Sequence, residues 1–219
     1  TIHRFDPIVE HKANVLCRLG RFEEALSFAR DAGIDYLYFN FLQQQIDICC
    51  QAGWWKRAKQ VLNRWKRANR NGPEPMPANI KLYLLQRKLF KAALAIESAK
   101  HKLPFRQVQD FQLQLAELEQ NYPRQVELLS QWVQADPTDD HALTRLALAY
   151  WHMDSQKAAQ DAAQKALTLL DNTLSQRLTD EPLYRSRRSL ILAILGKTQE
   201  AKAELSRTRT LPLCHFCEY

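Results

Sequence analysis

Residues 140–171, DHALTRLALAYWHMDSQKAAQDAAQKALTLLD, can fold in few ways. Leu143, Leu146, Ala147 and Tyr150 recur at helical spacing on one face of a first segment. After a break at Met153–Ser155, Ala159, Ala163 and Ala166 do the same on a second. Two short amphipathic helices, each with a single apolar stripe, must bury those stripes against a partner. The nearest partner is the other helix of the pair, and small residues at Ala147 and Ala159 let the two backbones approach closely.

The same grammar runs along the whole chain. Ile8–Leu19 ends at Gly20, Tyr36–Ala52 turns at Gly53, and Ala78–Lys88 leads into Phe90, Ala93 and Leu94. Phe105–Gln120 is followed by a turn at Asn121-Tyr122-Pro123 and then by Gln125–Gln134, while Pro182–Leu195 turns at Gly196. The markers Gly20, Gly53, Lys88, Gln120, Asp154 and Gly196 are 33, 35, 32, 34 and 42 residues apart. A period of roughly 34 residues is the mark of stacked helix pairs. Phe22, Trp55, Phe90 and Tyr122 each follow a turn and are expected to pack between neighbouring pairs. Glu23 and Glu24 suit the first turn of a helix, and Asp136-Pro137-Thr138-Asp139 reads as a turn plus an N-cap.

This spacing, with its Leu, small residue, Tyr and then Ala, Ala, resembles a tetratricopeptide repeat, and Asp136-Pro137 matches the Pro that closes a repeat in that family. Leu143 stands where the family has Trp, and Ala163 where it has an aromatic residue. The resemblance implies an all-α fold, a right-handed superhelix (α-solenoid) of about six antiparallel helix pairs. It also implies a non-catalytic protein-interaction scaffold that holds a peptide or partner domain on its concave face. Residues 1–219 are then one repeat domain, with two pairs in 1–70, a Pro-rich loop at 71–79 and four pairs in 80–219. Asn172–Glu181, in the one long interval, is expected to be an extended helix end or a loop.

Composition narrows the function classes. Apolar content of 46% supports a continuous core, and no run of about eighteen apolar residues is present to span a membrane. The chain starts at Thr1 and ends just after a Cys pair, so it reads as a piece of a longer protein. Five cysteines without an even framework point away from a disulfide scaffold and toward a reducing, cytoplasmic setting. Residues 1–110 hold 19 Lys and Arg against 10 Asp and Glu, and residues 111–219 hold 12 against 14. The basic half suits an anionic partner, whether nucleic acid or acidic protein.

Three sets of residues are candidates for function. Under the resemblance, the inward face of the first helices carries Asn14, Arg18, Asn40, Gln43, Asp47, Gln51, Gln107, Asp110, Gln114, His141 and Trp151. Amides and acids of this kind donate to and accept from a peptide backbone. The family's carboxylate-gripping groove uses Lys, Asn and Arg, but here no Lys accompanies Asn14 and Arg18. The second set is the basic helix 55–70, where Lys56, Lys59, Lys66 and Arg70 share one stripe with Arg57, Arg64 and Arg67 beside it. Such a helix would serve a transcriptional regulator or other nucleic-acid-associated protein, although its ordinary use is as a solvated outer face. The third is Cys214-His215-Phe216-Cys217, half of a tetrahedral metal site that would need a second half outside this chain. His residues are scattered, and no Gly-rich phosphate loop, nucleophile elbow or HExxH is present, so neither a cofactor nor an enzyme active site is expected.

Overall fold

The computed structural model describes residues 7–32, 39–68, 75–176 and 182–210. Among them are twelve helices and no strand: α1 Pro7–Arg18, α2 Phe22–Ala32, α3 Phe39–Gln51, α4 Trp55–Ala68, α5 Met76–Leu85 and α6 Leu89–Ala99, then α7 Phe105–Leu118, α8 Tyr122–Ala135, α9 Asp140–His152, α10 Gln156–Gln176, α11 Pro182–Ile194 and α12 Thr198–Thr210. The chain divides into two compact units, Thr1–Phe111 and Gln112–Tyr219.

One turn is made six times. Gly20, Gly53, Arg87, Gln120, Asp154 and Gly196 all have φ between 52 and 77°. In the first, Gly20 N–H donates to Cys17 O and Arg21 N–H to Leu16 O. The same two bonds close the other five turns, as with Asp154 to Trp151 and Ser155 to Tyr150. They satisfy carbonyls that a helix end leaves open, and the left-handed residue reverses the chain. The third turn pivots on Arg87, one residue before the Lys88 read from sequence. The intervals between pivots are therefore 33, 34, 33, 34 and 42. No glycine marks that turn, so the sequence alone misplaced it by one.

That single residue corrects another expectation. Counted from Arg87, Leu89 takes the register of Phe22, Trp55 and Tyr122, and Phe90 lies one step beyond it. Phe90 is 76% exposed rather than packed between pairs, and Trp55 is itself 36% exposed.

Five residues after each pivot comes a position built for close approach. It holds Ala25, Ala58, Ala92, Gln125, Ala159 and Ala201, all buried. Gln125 is the exception in size, and its Nε2 donates to Ala116 O at 3.1 Å. Seven residues before each pivot the chain places Ala13, Ile46, Ile80, Leu113, Ala147 and Ser189, all buried too. Ser189 Oγ donates to Ala201 O at 2.9 Å, tying α11 to α12 at this junction. A buried hydroxyl or amide needs such a partner, because leaving it unbonded costs about 1–3 kcal/mol.

Each unit has its own core. The first gathers Ala13, Leu26, Ile46, Ile48, Cys49, Leu62 and Trp65, with Phe22 and Trp54 against its edge. The second gathers Leu113, Leu128, Leu143, Ala147, Ala159, Leu167, Leu170, Ile191 and Leu192. A fully buried Leu or Ile contributes about 1.5–3 kcal/mol, whereas an exposed ion pair contributes about 0–1. The apolar seams therefore hold each unit, and the surface ion pairs refine it.

One boundary differs from the sequence reading, and another, the extended helix end expected within Asn172–Glu181, agrees with it. The stretch expected as loop over 71–79 is already helical from Met76, with Pro in the first turn of α5, where a missing N–H costs nothing. Helix α10 runs on to Gln176, which accounts for part of the long last interval.

Candidate functional site

The first helix of each pair carries polar residues toward its neighbours in a repeating way. On α3, Gln43 and Asp47 are one turn apart, and Gln43 Nε2 donates to Asp47 Oδ1 at 3.2 Å. The same oxygen accepts Lys81 Nζ of α5 at 2.7 Å. Asp47 and Lys81 are 34 residues apart, one full repeat, so they occupy the same register on successive first helices. That spacing could have revealed Lys81 in the sequence, but the inward set did not include it.

The second unit repeats the device with different partners. Arg145 of α9 donates to Glu117 of α7 at 2.7 Å, and Arg187 of α11 donates to Asp140 of α9 at 2.7 Å. Arg187 also lies over the Tyr184 ring, 5.2 Å from its centre. His141 sits among these charges. Partial desolvation first, then Arg187 and Arg145, hold its pKa below the ordinary 6.5, against the opposing pull of Asp139 and Asp140. Deeper in this unit Glu204 of α12 is 4% exposed and receives Arg185 at 2.8 Å, with Arg188 and Arg207 each at 3.1 Å. Tyr122 stacks on His152 with ring centres 4.6 Å apart.

The remaining inward candidates are placed as follows. Asn14, Gln107, Asp110 and Gln114 are half-buried, while Arg18, Gln51, His141 and Trp151 are exposed. Asn40 lies on α3, but its side chain is outside the described residues. Of the whole set, Gln43 and Asp47 are joined by a hydrogen bond.

On the basic helix, Lys56, Lys59, Lys66 and Arg67 are exposed, and no ion pair is formed by any of them among the described residues. Arg70 lies outside the described residues. Arg57 is committed twice, to the Glu23 carboxylate and to the Trp54 ring at 4.6 Å. Trp54 meets Phe22 edge to face at 6.2 Å, which places it as the cover of the first turn.

Cys214 and Cys217 also lie outside the described residues. Cys17, Cys49 and Cys50 are buried free thiols. Burial pushes all three pKa values up, Cys50 to about 11, so they are protonated at neutral pH and weak as ligands or nucleophiles. Among the described residues no three His, Cys, Asp or Glu side chains gather to hold a metal, and no helix is long and apolar enough to cross a membrane.

No protein-family model matches the chain, and no curated protein matches it in sequence. Solved structures do match. A tetratricopeptide repeat protein from Parabacteroides merdae is 13% identical, covers 95% of this chain and 79% of its own, and superposes with a TM-score of 0.60. The fold is tetratricopeptide-like. The all-α, α-solenoid class expected from the sequence is thus the one found. BtubC from P. vanneervenii is 15% identical over 87% of both chains at a TM-score of 0.57. MamA from Desulfovibrio magneticus, from its residue 41 onward, is 18% identical over 78% of this chain and 92% of its own, at 0.52.

Proposed function

We propose that this protein is a non-catalytic interaction scaffold that holds an extended peptide or a partner domain against its first helices, on the concave face implied by the fold. The observation that carries this reading is the Gln43–Asp47–Lys81 chain of polar contacts along successive first helices. It presents paired donors and acceptors at repeat spacing, which suits a peptide backbone lying across the repeats. The same reading assigns Asn14, Arg18, Gln51, Gln107 and Asp110 to such a surface in the first unit, and Gln114, His141 and Trp151 in the second. Capture of a partner from a peptide library should weaken about tenfold or more in Gln43→Ala and Asp47→Ala and in Gln114→Ala. Binding untouched by all three variants would place the partner elsewhere. The protonated buried thiols favour a reducing compartment such as the cytoplasm.

A second reading rests on a separate observation. Lys56, Lys59, Lys66 and Arg67 form an exposed cationic stripe without acids on its own helix. It suits an anionic partner such as nucleic acid, in a regulator of which this chain is one part. Titration with duplex and single-stranded DNA across a salt series tests this: affinity should fall steeply with salt, and binding insensitive to salt rules it out.

A further inference from the structure

Three helices of the first unit line a half-open cleft of about 200 Å³. Glu23, Leu26 and Arg30 of α2 form one wall, and Arg57, Gln60, Val61 and Arg64 of α4 form the other. Gln45 and Cys49 of α3 make the floor. Apart from the adjacent Gln60 and Val61, neighbouring lining residues of each helix are three or four apart, so they share a face. Gln45 and Cys49 lie two residues from Gln43 and Asp47 along α3, which turns them about 200° away from the polar chain described above. The cavity is therefore independent of the peptide-binding reading.

Its chemistry is lopsided. Three guanidiniums ring the mouth, and the Glu23 carboxylate is already engaged by Arg57. Arg30 and Arg64 have no ion pair or hydrogen bond among the described residues. Both Arg57 and Arg30 act on the Cys49 thiol in the floor, opposing the dominant effect of burial, which shows that their charge reaches inward. Gln45, in the floor, is only 4% exposed. Below the charged ring the surface turns apolar, with Leu26, Val61 and Cys49 all buried.

We propose that this cavity binds a phosphate monoester carried on an apolar stem. Arginine forks match phosphate oxygens two at a time, and a lining with three cations and one anion balances a group of charge about −2. A carboxylate would leave one cation unmatched. The stem would rest on Leu26 and Val61, while the Gln45 amide donates to a phosphate or bridging oxygen. The phosphate has two possible sources, a free aryl phosphate or a phosphotyrosyl side chain of another protein.

Calorimetric titration of the full chain distinguishes them. Phenyl phosphate should bind saturably and at least about tenfold more tightly than phenol or inorganic phosphate. The Arg30→Ala/Arg64→Ala variant, altered only at exposed positions, should lose about tenfold or more while melting as the parent does. Glu23→Gln, which removes the opposing charge, should tighten binding. A phosphotyrosyl peptide bound well above phenyl phosphate identifies a protein source, and equal affinities identify a free small molecule. No saturable binding of either probe at about 10 mM, or equal binding by the double arginine variant, overturns the proposal.

Discussion

In the second unit Arg145, Arg185, Arg187 and Arg188 each reach a carboxylate on another helix, whereas in the first unit Arg30 and Arg64 reach none among the described residues. The difference follows from where acids stand. Helix α12 carries Glu204 at a buried junction, and α9 carries Asp140 in its first turn, so neighbouring arginines have counter-charges at hand. Helix α4 carries no acid at all, and the nearby Glu23 and Glu24 are held by Arg57 and Arg21. Those four arginines of the second unit join helices, as Arg57 and Lys81 do in the first; Arg30 and Arg64 remain available to something outside the fold.

The largest test of that contrast removes Glu204. Glu204→Ala leaves the largely buried Arg185 without this counter-charge, while Arg188 keeps Asp171, and should cost about 3 kcal/mol in denaturant unfolding. Arg64→Ala in the first unit should cost under about 0.5. Comparable losses would erase the distinction between the units. Next comes packing. Ala147→Leu should destabilise the α9–α10 pair by about 1–3 kcal/mol, because Ala147 and Ala159 are both fully buried in the same core; an unchanged melting temperature would refute the close approach.

The turns give a smaller and oppositely signed pair of effects. Gly20→Ala in the first unit should cost about 1 kcal/mol, all of it from the backbone, since an added Cβ there meets no atom within 4 Å. Asp154→Gly in the second relieves the same left-handed strain and should gain about 0.5 kcal/mol after the entropy of glycine is counted. Chemical unfolding of both variants reads the two signs directly. The smallest effect is on acidity. The native pKa of His141 lies below its unfolded value of about 6.5, so the native state binds fewer protons in that window. Its contribution is intact above about pH 6.5 and is lost as pH falls through the lower native value. His141→Gln should flatten that part of the stability curve, and an unchanged slope would assign the acid sensitivity to other groups.

Much of this was written in the spacing. Glycines at 20, 53 and 196, and the Asp136–Asp139 cap, placed most helix ends before any coordinates. The Arg87 turn was harder to read because an arginine carries no mark of a left-handed backbone, and the error of one residue carried Phe90 from solvent into an imagined seam. Ion pairs such as Asp140–Arg187 join residues 47 apart and depend on helix rotation that a linear pattern does not state. The cavity was out of reach for the same reason. Arg30, Gln45 and Arg64 belong to three different helices, and each alone looks like an ordinary surface or core polar residue.

The six identical turns have a consequence for ancestry. Every hydrogen bond that closes one of them is made within six residues, so no turn depends on which hairpin precedes or follows it. A gene encoding such a chain could lose or duplicate one whole hairpin and leave the remaining joints geometrically undisturbed. The interval of 42 residues before Gly196 shows that a period eight or nine residues too long, part of it taken up by the extended α10, leaves the joint itself unchanged.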